Sequence, residues 1–165
     1  MKALKNIGIL FLGLVAISAT MSSDDGEFEA QVNTLKQDCK NLIKSTRYEG
    51  SKVTYYTAGK KQTKSVELFL FLANEYQIAI GGKKCTPSLT VKIYDAAADV
   101  EDRTLIKEYK SMQGKNTVIS SAELNTIYRK KVPQVERLKN IHIEYSIGSG
   151  KSAKEAIVLV YGHKA

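Results

Sequence analysis

His142 and Glu144 stand two residues apart, and His163 follows near the C-terminal end. On a strand, residues i and i+2 share a face, so the first two would lie side by side. A histidine beside a carboxylate suits acid–base chemistry or a metal. The chain has only 2 histidines, and a zinc site draws on three or four protein ligands. No serine sits in a G-x-S-x-G elbow, and no aspartate is placed to orient a catalytic histidine. No catalytic residue, metal ligand or cofactor is assigned. An enzyme with a polar or metal site near His142, Glu144 and His163 stands as the alternative reading.

Three further groups bear on chemistry. Gly148-Ser149-Gly150-Lys151-Ser152 partly matches a phosphate loop. The full pattern requires a glycine at position 145, where Tyr145 stands, and a helix afterwards, where a strand pattern follows. A hairpin turn is expected instead. Asp95, Asp99, Glu101 and Asp102 surround one loop, and carboxylates are calcium ligands. Their spacing lacks the D-x-D-x-D-G pattern, so a solvated acidic loop is expected. Tyr55 and Tyr56 must point to opposite faces of a strand, leaving one exposed. With Lys60, Lys61 and Lys64 close by, an exposed tyrosine could stack on a sugar or anchor a protein contact. These five residues are the candidate ligand surface.

The first twenty residues set the compartment. Lys2 and Lys5 precede an apolar run from Ile7 to Ile17, and small residues Ala16, Ser18 and Ala19 follow. This is the three-part pattern of a secretory signal peptide, expected over residues 1–20. Its loss leaves 23 basic against 17 acidic residues, a net charge of +6 in place of +8. That balance favours acidic partners such as anionic polysaccharide. The lysines are scattered, which argues against nucleic acid. No stretch after the signal segment is long and apolar enough to span a membrane. Cys39 and Cys85, the only cysteines, are expected to form a disulfide in an exported chain. Two buried free thiols are the alternative. A CxxC redox pair is absent from the sequence.

The remaining 145 positions must build what holds these side chains. Phe28, Val32, Leu35, Cys39 and Leu42 recur at helical spacing and predict an amphipathic helix over 28–45. Period-two patterns then follow, punctuated by turns. They run through Val53–Thr57, 64–72, Tyr76–Ile80, Leu89–Asp95, Thr104–Tyr109, Thr117–Ile119, Ile141–Ile147 and 155–161. The run over 64–72 (KSVELFLFL) turns apolar on both faces and predicts a central strand covered on each side. Ser121 opens a short helix that Pro133 limits. The expected architecture over 21–165 is mainly β: one antiparallel β-sandwich or jelly-roll-like domain with an N-terminal amphipathic helix packed on it. A flattened barrel competes.

A set of residues carries a family resemblance. It includes Cys39-x-x-Leu42-Ile43-Lys44, Arg47-Tyr48-Glu49-Gly50-Ser51-Lys52 and Asn74-Glu75-Tyr76-Gln77-Ile78. It continues through Val91-Lys92-Ile93-Tyr94-Asp95 and Ile143-Glu144-Tyr145-Ser146-Ile147 to Val158-Leu159-Val160-Tyr161-Gly162-His163-Lys164. The chain resembles a family of small exported proteins of Gram-negative bacteria, functionally uncharacterised. That family is similar to the β-sandwich (pre-peptidase C-terminal-like) modules of secreted peptidases. The resemblance implies a fold and a non-catalytic role assisting secretion or surface binding, and it carries over no functional residues.

The resulting expectation is an exported, non-enzymatic module acting in the periplasm, on the cell surface or outside. It would bind an envelope or extracellular protein or polysaccharide through a sheet face or loop rim. A secreted enzyme and an oligomeric structural component of the envelope are the competing classes.

Overall fold

A computed structural model describes residues 23–57, 59–71, 74–149 and 154–164. The expected signal peptide over 1–20 lies outside these residues. The elements run α1 (Ser23–Leu42), β1 (Arg47–Thr57), β2 (Gln62–Phe69), β3 (Tyr76–Gly81), β4 (Leu89–Tyr94) and β5 (Leu105–Tyr109). Then come β6 (Asn116–Ser120), α2 (Ser121–Lys131), β7 (Asn140–Ile147) and β8 (Lys154–His163).

The strands form two four-stranded sheets, ordered β1-β8-β3-β6 and β2-β7-β4-β5, with every pairing antiparallel. The pairs β1·β8, β2·β7, β3·β6 and β4·β5 nest inside one another. The chain behaves as one long double ribbon folded over itself, which is the jelly-roll arrangement. Of the sequential connections, only β4 to β5 joins neighbours within a sheet.

Alternation along the strands fills two apolar layers. Ile78, Ile80, Ile157 and Leu159 from the first sheet meet Leu68, Val91, Ile93, Ile141, Ile143 and Tyr145 from the second. Between α1 and the outer face of the first sheet lie Val32, Leu35, Cys39, Ile43, Ala79, Ala156, Val158 and Val160. The small residues Ala79, Gly81 and Ala156 let the helix come close. A Cβ placed on Gly81 would lie 2.7 Å from Cys39 Sγ and 3.0 Å from Leu35 Cδ1.

Three expectations are corrected. The helix spans Ser23–Leu42, and Ile43 rather than Leu42 is buried. A tightened turn, Ile43 N–H to Lys40 O at 3.1 Å, brings Ile43 onto the sheet and leaves Leu42 50% exposed. The doubly covered strands are β8 and β3, not the segment 64–72. β2 is a sheet edge: Leu68 in it and Leu70 just past its end are buried, while Phe69 and Phe71 are 65% and 67% exposed. The third concerns the cysteines, taken up below.

α2 begins where Ser120 caps it, accepting from the Glu123 N–H at 3.0 Å. Its Leu124 and Tyr128 join the core between the sheets. Buried Asn125 ties it to the following loop, donating from Nδ2 to Ser121 O at 2.8 Å and accepting from Leu138 N–H at 2.8 Å. Among the described residues, no helix is long and apolar enough to cross a membrane.

Candidate functional site

The end of β1, the start of β2 and the start of β8 meet the first turns of α1 at one pole of the sandwich. There they enclose a cleft of about 350 Å³ lined by Phe28, Tyr55, Tyr56, Gln62, Lys64 and Glu155, among others. Strand alternation puts Tyr55 outward, 59% exposed, and Tyr56 inward, 4% exposed. The Tyr55 ring meets the Phe28 ring at 6.0 Å between centroids, tilted by 52°. On the rim, Lys154 donates to Asp25 Oδ1 at 2.6 Å. Lys60 and Lys61 line a shallower depression that shares Thr57 and Gln62 with the cleft. Positive φ at Gly59 (101°) turns the chain there and presents both lysines to solvent. The five residues singled out in the sequence therefore gather at one pole.

Tyr56 has a different role from Tyr55. It faces Glu155 directly across β1 and β8, and its hydroxyl donates to Glu155 Oε2. Glu155 also accepts from the Thr86 N–H at 3.0 Å and from the Thr86 hydroxyl. The Tyr56 hydroxyl oxygen lies 2.9 Å from Cys85 Sγ. Burial, reinforced by the bonds to Cys85 and Glu155, pushes the Tyr56 phenol far up. This group staples the loop after β3 to the first strand pair and forms the floor of the cleft. The Tyr56 hydroxyl holds its proton firmly. Glu155 and Thr86 were not singled out from sequence. The signal was present: 155, 157 and 159 share one face of β8, so a glutamate occupies the first inward position of an otherwise apolar series.

The expected disulfide is not formed, and both cysteines are free and buried. Cys39 belongs to the layer between α1 and the first sheet, and Cys85 to the core between the sheets. Two residues on opposite faces of one sheet cannot be joined without moving the backbone. Burial, with a smaller contribution from the Asp38 charge, pushes the Cys39 thiol up to about 12. Burial raises the Cys85 thiol too, against an opposing bond from Tyr56.

The structure does not gather His142, Glu144 and His163. His142 and Glu144 share the outer face of β7, but each has its own partner. His142 Nε2 lies 3.5 Å from Glu67 Oε1, and Glu144 Oε2 lies 3.1 Å from Arg103 Nη1. His163 belongs to the other sheet and contacts Glu49 at 2.6 Å. Among the described residues, no three His, Cys, Asp or Glu side chains are grouped to hold a metal. In the acidic loop, Asp95 accepts from Thr104 N–H at 2.6 Å and from the Tyr128 hydroxyl at 2.9 Å. It ties the loop to α2. Residues 150–152 of the glycine-rich segment lie outside the described residues. The strands flanking it, β7 and β8, belong to different sheets and do not form a hairpin with each other.

No known family profile matches the chain, and no curated protein matches it. A solved structure described as "CBM4 structure and function" is similar over 75% of this chain and 83% of its own, at 12% identity and a TM-score of 0.40. A second, "Structure of infectious bursal disease virus Gx strain", is similar over 70% of this chain and 32% of its own, at 12% identity and a TM-score of 0.23.

Proposed function

We propose that the chain is an exported, non-enzymatic module that binds an acidic polysaccharide of the cell envelope or its surroundings. The observation that carries this reading is exposed Tyr55, backed by half-buried Phe28, beside Lys60, Lys61 and Lys64 at one pole. An exposed ring offers an apolar face to a sugar. Lysines on one side supply attraction for carboxylate or sulfate groups without fixing their geometry. The cleft is near the lower end of ligand-pocket sizes, which suits one sugar residue of a longer chain. The stapled floor of Tyr56, Glu155 and Thr86 keeps that shape rigid. Export over residues 1–20 and the likeness to non-catalytic modules of secreted peptidases belong to the same proposal.

Affinity electrophoresis tests it, with the purified protein run through gels containing polygalacturonate, heparin or a neutral glucan. The acidic polymers should retard the protein and the neutral one should not. Tyr55→Ala and the triple change Lys60→Glu, Lys61→Glu, Lys64→Glu should each release it. Equal retardation by the neutral glucan, or retention by both variants, would overturn the proposal.

A further inference from the structure

The outer face of the second sheet carries a side-chain trio outside the cleft. Glu67 on β2 and His142 on β7 are direct cross-strand partners, and Asn140 precedes His142 by two residues on the same face. Glu67 Oε1 lies 2.7 Å from Asn140 Nδ2 and 3.5 Å from His142 Nε2. Asn140 Nδ2 lies 3.4 Å from His142 Nε2. We propose that these three side chains bind one divalent first-row metal ion, such as Zn2+, through the imidazole nitrogen, the carboxylate and the amide oxygen.

Zinc holds nitrogen and oxygen ligands at about 2.0–2.2 Å, which sets two ligands of one ion about 3–3.5 Å apart at right or tetrahedral angles. The three atoms form a triangle with nearly those edges, so one ion can touch all of them once the 2.7 Å edge opens slightly. The Asn140 amide turns over in doing so. That puts Oδ1 where Nδ2 stands and exchanges its bond to Glu67 for one to the ion. Among the described residues, the polar contacts of these three side chains are with one another, so no other partner has to be displaced. Glu67 has no lysine or arginine beside it among them, and its one ion-pair contact is His142. Glu144, next on that face of β7, is held by Arg103 and takes no part, and His163 lies on the other sheet. Paired strands carry all three ligands, so their spacing is set by the ladder rather than by a loop. An imidazole nitrogen suits zinc and its neighbours, whereas magnesium and calcium take oxygen ligands. Glu67 is exposed and Asn140 and His142 are half-buried, which leaves the remaining positions of the ion to water. The inference does not depend on the lysine cleft.

The test is nitrogen NMR of the histidine rings in the tag-free protein, titrated with zinc chloride against magnesium chloride at matched ionic strength. A saturable zinc-dependent shift at His142 Nε2 is expected, with one ion bound per chain, reversal by EDTA and no response to magnesium. The His163 ring is the internal control. Glu67→Gln and Asn140→Ala should each weaken zinc binding by about tenfold or more, and His163→Gln should leave it unchanged. Thermal melts report whether each variant stays folded, and Glu67→Gln, on an exposed side chain, serves should Asn140→Ala fail. No saturable shift at His142 would overturn the proposal, as would an equal shift at His163 or binding unchanged in Glu67→Gln.

Discussion

Tyr56 and Glu155 are cross-strand partners whose side chains both turn into the sandwich, where the phenol donates to the carboxylate. Glu155 is the one charged side chain buried among the described residues. Its burial is tolerable because Tyr56 and Thr86 supply three donors. Tyr56→Phe removes one and leaves the carboxylate short of a partner. The expected loss is about 1.5–3 kcal/mol of unfolding free energy, measured by urea denaturation with an unchanged m-value. A neutral Tyr56→Phe would show that the staple adds nothing to stability.

The thiols give a pH prediction. A raised pKa in the folded state means that the fold holds the proton more tightly than the unfolded chain does. Stability from this source is complete below the ordinary thiol value of 9.0 and is lost as pH rises toward about 12 for Cys39. Cys39 alone accounts for a loss on the order of 4 kcal/mol across that window. Tyr128, pushed up to about 12 by burial and by Asp95, adds to it over the upper part. Urea midpoints measured at rising alkaline pH should fall steeply. A thiol reagent at neutral pH should modify neither cysteine until the chain unfolds.

Tyr145 is fully buried, and its hydroxyl has no hydrogen-bond partner in the structure. Burial strands that group, raising its pKa. Deleting a buried polar atom that bonds nothing removes a penalty without removing a bond. Tyr145→Phe is expected to be neutral or to stabilise by up to about 2 kcal/mol, seen as an unchanged or raised melting temperature. A clear loss would place a bound water on that hydroxyl.

Gly81 lies under α1, with Cys39 Sγ and Leu35 where a Cβ would go. Both neighbours are packed and cannot retreat. Gly81→Ala should cost about 1–3 kcal/mol. Cys39→Ala placed in the same chain should recover part of that cost, a non-additivity that a double-mutant cycle would detect.

For the cleft, the expected signature is loss of binding without loss of fold. Tyr55, Lys60, Lys61 and Lys64 are exposed, so their substitution should shift unfolding free energy by no more than about 0.5 kcal/mol. Polysaccharide binding should weaken as salt rises, because exposed charges are screened. Binding that resists salt would move the main contact from the lysines to the aromatic pair.

The fold was legible where one side chain in two had to be buried. Ile141, Ile143, Tyr145 and Ile147 announce β7, and the turn residues separate most of the strands. The segment 64–72 was misread because alternating Leu and Phe look alike in composition whether the outward pair is covered or exposed. Only strand order reveals that Phe69 sits on a sheet edge. The lysines and Tyr55 lie together at one pole because they are close in sequence, joined by one turn. Glu155 and Thr86 were missed because their contacts with Tyr56 join residues far apart in the chain. The cysteine pairing failed for the same reason: sequence gives the number of thiols, not which face of a sheet each one meets.

The pairing of β1 with β8 also dictates an order of events during synthesis. β1 leaves the ribosome well before its partner, which begins only at Lys154. α1 must wait as well, because half of the surface it covers belongs to Ala156, Val158 and Val160. Tyr56 has no Glu155 to meet until then. The first sheet therefore cannot close until β8 has been made, and its folding is dominated by contacts between distant segments. Until then the apolar faces and unpaired edges of the earlier strands stay open to misassociation.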